Sequence, residues 1–294
     1  MSLKALFDVP APAKLNLFLH VVGRRADGYH LLQSAFQLID WADRLHFERR
    51  EDGRLLRHDL GPALPAGDLC LRAARALQAA SGSTLGADIS IDKQLPWGAG
   101  MGGGSSDAAT TLLALNRLWG LDWPKSRLLA IGLSLGADVP FFVGGANAWV
   151  EGIGEKLTPL ALPAQTFAVV KPAASIATAE IFGHPLLRRD TEPVILAGLL
   201  ADDPGQCVLG AGYGRNDLQP PAEDRCPEVA QAARWLESRF GNSRMTGSGS
   251  AVFARAGASA PPEAAFPAAS LPPGWVGRMC RGLERHPLAD WALD

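Results

Sequence analysis

Pro96-Trp97-Gly98-Ala99-Gly100-Met101-Gly102-Gly103-Gly104-Ser105-Ser106-Asp107 decides how this chain is read. Five glycines fall within the seven residues 98–104, and two hydroxyls and an acid follow at once. Glycines without side chains let a backbone approach a ligand closely and turn successive N–H groups inward. The residues after the loop, Ser106 to Trp119, carry Ala108, Leu112, Leu115 and Trp119 at helical spacing. They predict a strong helix, with Ser105 or Ser106 as its N-cap and Asp107 in the first turn. A glycine-rich loop delivered onto a helix N-terminus is an anion cradle, and phosphate is its usual occupant. A flexible linker is not normally set between a strand and a capped helix.

Two other phosphate loops fit less well. No GxxxxGK[ST] occurs, which excludes a Walker-type nucleotide site. Gly98, Gly100 and Gly103 satisfy GxGxxG, with Asp122 about twenty residues on, as a dinucleotide fingerprint would have. That fingerprint starts directly at a strand end, whereas Lys93 to Trp97 intervene here.

Outward from the loop, Ala13 to Val22 alternates as a strand and Gly23 to Gly28 is a polar turn. Gln33 to Ile39 and Arg44 to Arg49 read as two further strands, Asp68 to Ala80 as a helix and Ala87 to Asp92 as a strand. Another helix runs from about Lys125 to Leu135 and stops at Gly136. After Pro159 and Pro163 a new strand begins at Thr166 to Lys171, so a domain boundary is placed there, dividing 1–162 from 163–294. The second half predicts helices at Glu192–Leu200 and Pro227–Phe240 and strands at Ser243–Thr246 and Ala251–Ala254. Ala256 to Gly274 is Ala/Pro-rich and reads as a short helix or a loop. The class expected is α+β.

Composition narrows the function. Among the 294 residues, 28 Lys+Arg stand against 30 Asp+Glu, a net charge of -2 without the basic excess that bulk nucleic-acid or membrane-surface binding needs. Hydrophobic residues at 47% and charged residues at 20% describe a folded chain with a core. The four cysteines and six histidines show neither CxxC nor HExxH spacing, so no zinc site or disulfide framework is indicated and buried thiols are expected. Leu128 to Val150 has Asp138 as its only charge, but Pro140 and four glycines break it, favouring a buried helix–turn–strand over a membrane span. Met1 to Pro12 lacks the apolar core of a signal peptide, so a cytoplasmic protein is expected. Only six of the basic residues are lysines, which draws attention to Lys14 and Lys93 beside the motif-like segments.

Pro96 to Asp107 resembles the central phosphate-binding motif of the GHMP kinases, the family of galactokinase and the homoserine and mevalonate kinases. Pro12-Ala13-Lys14-Leu15-Asn16-Leu17 and Met245-Thr246-Gly247-Ser248-Gly249-Ser250-Ala251 match that family's other two motifs in order. Within it, Arg24-Arg25-Ala26-Asp27-Gly28-Tyr29-His30 and Leu135-Gly136-Ala137-Asp138-Val139-Pro140-Phe141-Phe142 are similar to one branch. Its acceptor is a branched polyol bearing cytidine diphosphate, phosphorylated at the 2-hydroxyl in the non-mevalonate isoprenoid pathway. The likeness covers essentially the whole chain. It implies a two-domain GHMP kinase fold, with a ribosomal-protein-like N-terminal domain and a ferredoxin-like α+β C-terminal domain.

The resemblance also assigns roles. ATP would lie on Lys93 and on Pro96, Trp97, Gly98, Ala99, Gly100, Met101, Gly102, Gly103, Gly104, Ser105 and Ser106. Lys14 and Asp138 would be catalytic, and Asn16, Tyr29, His30, Thr178 and Phe182 would bind the cytidine-bearing substrate. Asp138 suits a general base, because burial in its apolar run and a helix C-terminus would raise its pKa. Lys14 and Asn16, two apart on a strand, can reach one site together. A magnesium ion should bridge the ATP phosphates, with Ser106 the nearest protein ligand. Gly67-Asp68-Leu69 departs from the family, which commonly has Asn before Leu near the adenosine site. The expected partner is the small-molecule substrate, with no nucleic acid or membrane, and the chain is expected as a monomer or weak homodimer. A non-catalytic binding module is the rival of a different class, because folds like this N-terminal half also occur in ribosomal proteins.

Overall fold

A computed structural model describes residues 3–163, 165–196, 212–256, 266 and 268–294. Two long strands, β1 (Ala5–Arg24) and β2 (His30–Arg50), form an antiparallel hairpin around the turn at 25–29. The sequence predicts two strands where β2 is one. Asp40 and Asp43 interrupt the apolar pattern, yet Asp43 is fully buried and accepts hydrogen bonds from two backbone N–H groups, of Gln94 and Leu95. An acid satisfied in this way does not force the chain out of the sheet. Pairing jumps from Pro12↔Ala42 to Lys14↔Leu38, so extra β2 residues bulge beside Lys14. Such irregularities re-aim side chains, and this one lies at the site.

Joining the hairpin are β3 (Leu55–Asp59), β4 (Gly86–Asp92), β5 (Ala148–Glu151) and β6 (Lys156–Pro159), in the order β3-β4-β2-β5-β6 with β1 on β2. Helices α1 (Leu69–Ser81), α2 (Gly103–Leu118), α3 (Lys125–Leu135) and α4 (Val139–Gly144) pack with this sheet around one apolar core. Asp68 caps α1 by accepting the Leu71 N–H at 3.0 Å. α2 starts at Gly103, ahead of both expected caps, Ser105 and Ser106. Gly102, at φ 72°, is its N-cap, so neither serine fills that position. β4 and β5, on either side of the α2–α4 connection, are separated by β2. This is not the adjacent parallel pair of a dinucleotide-binding βαβ unit, and that alternative falls.

The second sheet has the order β10-β7-β9-β8, from β7 (Thr166–Lys171), β8 (Arg244–Met245), β9 (Val252–Arg255) and β10 (Val276–Arg281). Helices α5 (Thr178–Phe182), α6 (Gln219–Arg225) and α7 (Pro227–Phe240) belong to this half. The expected helix at Glu192–Leu200 is not formed at 192–195, which has no regular secondary structure. Gln33 there takes the Val194 N–H and donates to the Val194 carbonyl, replacing a helical ladder. Residues 197–200 lie outside the described residues, as do Cys207 and most of the Ala/Pro-rich segment. The other three cysteines are free and buried, as expected.

A shared core joins the halves: Leu15, Leu17 and Phe18 of β1 cluster with Phe167, Val169, Phe253 and Cys280. After β10 the chain returns to the first sheet through bridges Ile39↔Gly282 and Ala146↔Arg285, burying Leu288 and Ala292 in the first core. Among the described residues no helix is long and apolar enough to cross a membrane. Residues 128–150 form α3, α4 and the start of β5, with Phe141 and Phe142 buried.

Candidate active site

The glycine loop is held from two sides. Lys14 N–H of β1 donates to the Met101 carbonyl at 3.0 Å, while Ser250 and Ala251 N–H donate to the Gly98 and Ala99 carbonyls at 2.9 and 3.2 Å. The C-terminal glycine motif therefore backs the loop directly. A Cβ on Gly102 would press on the Phe142 ring at 2.9 Å and on Lys14 Cγ at 3.3 Å. The backbone is left as a thin partition with a cavity on each side, and Gly100 and Gly102 line both.

The larger cavity, of about 740 Å³, contains Lys14, Asn16, Tyr29, His30, Asp138, Thr178 and Phe182. All seven catalytic and substrate-binding candidates thus meet in one place, from β1, the hairpin turn, the start of β2, the α3–α4 junction and α5. Lys14 is buried, with Nζ 2.5 Å from Asn16 Oδ1, 3.7 Å from Asp138 Oδ2 and 4.4 Å from the Phe36 ring centre. Burial pushes the Lys14 ammonium below its ordinary pKa, and the Asp138 carboxylate opposes that shift. Asp138 is not enclosed as its apolar neighbours suggested. Its side chain is 33% exposed, because the residue precedes α4 at the cavity wall while Val139, Pro140, Phe141 and Phe142 turn into the core. Asn16 spends its amide on the protein, accepting from Lys14 and donating to Ser34 Oγ at 3.0 Å, so it holds Lys14 in place.

At the far end Tyr29 is exposed, and His30 stacks on Phe182 with ring centres 5.0 Å apart and planes 27° apart. Burial, then the charges of Arg189 and Arg24, push the His30 imidazole below its ordinary pKa. Thr178 Oγ1 is 2.8 Å from Ser248 Oγ, linking α5 to the C-terminal glycine turn, whose Gly247 and Ser248 also line this cavity.

The smaller cavity, of about 420 Å³, is lined by Lys93, by every residue from Pro96 to Ser105, and by Leu64, Pro65, Gly67, Asp68 and Asp107. The first N–H groups of α2 start here, where an anion is favoured. Ser106 is the exception. It is buried and its hydroxyl donates to the Pro12 carbonyl at 2.7 Å, because helix periodicity turns it towards β1. Lys93 Nζ donates to Asp107 at 2.7 Å and also bonds Asp43. Burial works against the Lys93 charge, but the two carboxylates outweigh it and raise its pKa. Burial pushes the Asp107 carboxyl above its ordinary pKa, with Lys93 opposing the rise and nearby Asp43 adding to it. Among the described residues Asp107 Oδ1 is a buried acceptor with no hydrogen-bond partner.

Sequence reasoning missed Asp43, Arg57, Phe36 and Arg189. Arg57 donates to the Leu64 and Pro65 carbonyls and pairs with Asp59 at 2.8 Å and Asp68 at 3.2 Å, holding the outer wall of the smaller cavity. None of the four stands in a motif, and Asp43, Phe36 and Arg189 meet Lys93, Lys14 and His30 across long sequence intervals. Only Asp43, an acid between apolar strand residues, carried a local signal.

Residues 68–146 match the family description "GHMP kinases N terminal domain", and residues 204–269 match "GHMP kinases C terminal". A protein of Methylibium petroleiphilum, named 4-diphosphocytidyl-2-C-methyl-D-erythritol kinase, is 67% identical over 99% of this chain and 100% of its own length. One of the same name from Polaromonas naphthalenivorans is 57% identical over 98% of this chain and 97% of its own. A crystal structure of 4-(cytidine 5'-diphospho)-2C-methyl-D-erythritol kinase superposes with a TM-score of 0.77 at 35% identity, covering 95% of this chain and 100% of that one. Homoserine kinase from Cytophaga hutchinsonii, at 17% identity and a TM-score of 0.61 over 86% of this chain and 84% of its own, shares the fold.

Proposed function

The chain belongs to the GHMP kinases, and from that premise we propose that it phosphorylates the 2-hydroxyl of 4-diphosphocytidyl-2-C-methyl-D-erythritol with ATP, in the non-mevalonate isoprenoid pathway. One observation supports this reading above the rest. Gly100 and Gly102 divide two cavities, one holding the Lys14–Asp138 pair and the other the start of α2. An alcohol in the first and the ATP phosphates in the second meet at that partition, where phosphoryl transfer needs them in line.

Asp138 accepts the proton of the acceptor hydroxyl as the phosphoryl group arrives. The Lys14 ammonium, held by Asn16 and the Phe36 ring, keeps the carboxylate oriented and offsets the charge that develops on the oxygen. N–H groups at the start of α2 take phosphate oxygens, and Trp97, 52% exposed, offers the nucleotide a flat face. Tyr29, His30 and Phe182 form the cytidine end. A magnesium ion fits on the nucleotide side: Asp107, with its unpartnered oxygen, and Ser105 would hold it, and it would neutralise phosphate charge.

The domains divide at 162/163, between β6 and β7, with 1–162 carrying the glycine loop and 163–294 the second sheet. The enzyme works in the cytoplasm as a monomer or weak homodimer on its small-molecule substrate, without nucleic acid or membrane. A substrate panel of the cytidine-bearing alcohol, mevalonate, homoserine and galactose, read by ATP consumption, tests the assignment. Turnover of the cytidine-bearing alcohol alone is expected, and preference for any other overturns it.

A further inference from the structure

We infer that Arg189 is a positioning residue of the cytidine end: it donates to His30 Nε2, so that His30 turns its Nδ1–H to an acceptor on the base. The inference rests on the reading of the larger cavity as the cytidine site. Arg189 lies 159 residues from His30, in the segment after α5, and its Nε is 3.2 Å from His30 Nε2. A guanidinium has only donors, so the ring nitrogen it meets must be the acceptor. In a neutral imidazole the other nitrogen then carries the hydrogen.

Neutrality has its own support. Buried to a degree and facing the positive charges of Arg189 and Arg24, the ring resists protonation. The nearby acid on the hairpin turn, Asp27, is paired with Arg25 at 2.7 Å. Across the cavity Asp138 is paired with Lys14.

The rest of the guanidinium fixes the opposite wall. Nη2 donates to the Phe182 and His184 carbonyls at 3.0 and 3.1 Å, and Nη1 donates to the Leu187 carbonyl at 3.0 Å. One side chain therefore sets both the proton on His30 and the backbone that carries Phe182, the ring stacked on it. A planar fork with donors in fixed directions can hold four acceptors together, which the single ammonium of lysine cannot.

The test measures the His30 ring nitrogens by 15N NMR in the ligand-free protein, together with steady-state kinetics of Arg189→Gln and Arg189→Lys. The wild type should show a protonated Nδ1 and a bare Nε2. Both variants should mix the two tautomers and raise KM for the cytidine-bearing alcohol roughly tenfold, with kcat and the ATP KM within about twofold, the scale of one hydrogen bond. A merely structural Arg189 would move both KM values, or kcat, together. The inference is overturned by a protonated Nε2 in the wild type, or by a lost tautomer preference with an unchanged KM for that alcohol. A wild type indifferent to the cytidine-bearing alcohol overturns the proposed function instead, while the ring nitrogens still report on Arg189 and His30. The wild-type spectrum decides even if a variant fails to fold.

Discussion

A Cβ placed on Gly100 would stand 2.3 Å from the Thr246 carbonyl oxygen, so the two glycine motifs fit together only while position 100 has no side chain. The contact joins the central loop to a segment more than 140 residues later, and it explains why both are rich in glycine. Gly100 also has φ +72°, a conformation that side chains rarely adopt.

Gly100→Ala should therefore destabilise the fold by more than about 2 kcal/mol, measured by urea denaturation. Gly104→Ala is the contrasting change. Its added methyl would meet only Leu69 Cδ1, at 3.7 Å, inside a helix, so stability should hold or rise by about 0.5 kcal/mol. The methyl enters the nucleotide cavity, so KM for ATP should rise while KM for the alcohol stays. Equal stability of the two variants would contradict the interlock.

Asp138→Asn keeps the shape of the side chain and removes the proton acceptor. The kcat should fall by roughly 10²–10⁴, with KM for both substrates little changed. A second effect follows from Lys14. The carboxylate is what opposes the downward push of burial on that ammonium, so the variant should lower the Lys14 pKa further. The alkaline limb of any residual activity should then move to lower pH. An alkaline limb that stays in place would show that Lys14 is not electrostatically tied to Asp138.

Arg57→Leu should damage the nucleotide side selectively. The Arg57 side chain is 9% exposed, and its loss strands Asp59 and Asp68 at 17% and 12% exposure. Removing one partner of such a cluster costs on the order of 3 kcal/mol. The 64–68 wall also loses two carbonyl anchors, so KM for ATP should rise more than KM for the alcohol. Stability is read by thermal unfolding and the KM values by kinetics; equal rises in both KM values would refute the local role. The same cluster gives Asp68 a purpose at the position where the family commonly has Asn.

His286 makes a pH prediction. Burial pushes its imidazole from an ordinary 6.5 to about 4, and Nδ1 accepts the Leu288 N–H at 3.0 Å. The unfolded chain takes up the proton first as pH falls. Stability is thus complete above about 6.5 and is lost progressively towards 4, by about 3 kcal/mol in all. His286→Gln should flatten that acid slope relative to wild type in denaturation curves at stepped pH. An unchanged slope would assign the acid sensitivity to other groups.

By itself the sequence determined what depends on neighbours along the chain. The glycine loop, α3, α7 and β7 were legible because periodicity, caps and breakers act within a few residues. The three ordered motifs carried the family and the site residues that lie within them. Only the tertiary structure decided which of these residues share a cavity. It made one strand of two by burying Asp43, began α2 at Gly103, turned Ser106 towards β1 and left Asp138 part-exposed. It also brought Arg57 to the nucleotide wall and Arg189 to His30. Packing and hydrogen bonding depend on distance in space, so a local pattern can name the reacting side chains but not the residues, remote along the chain, that hold them.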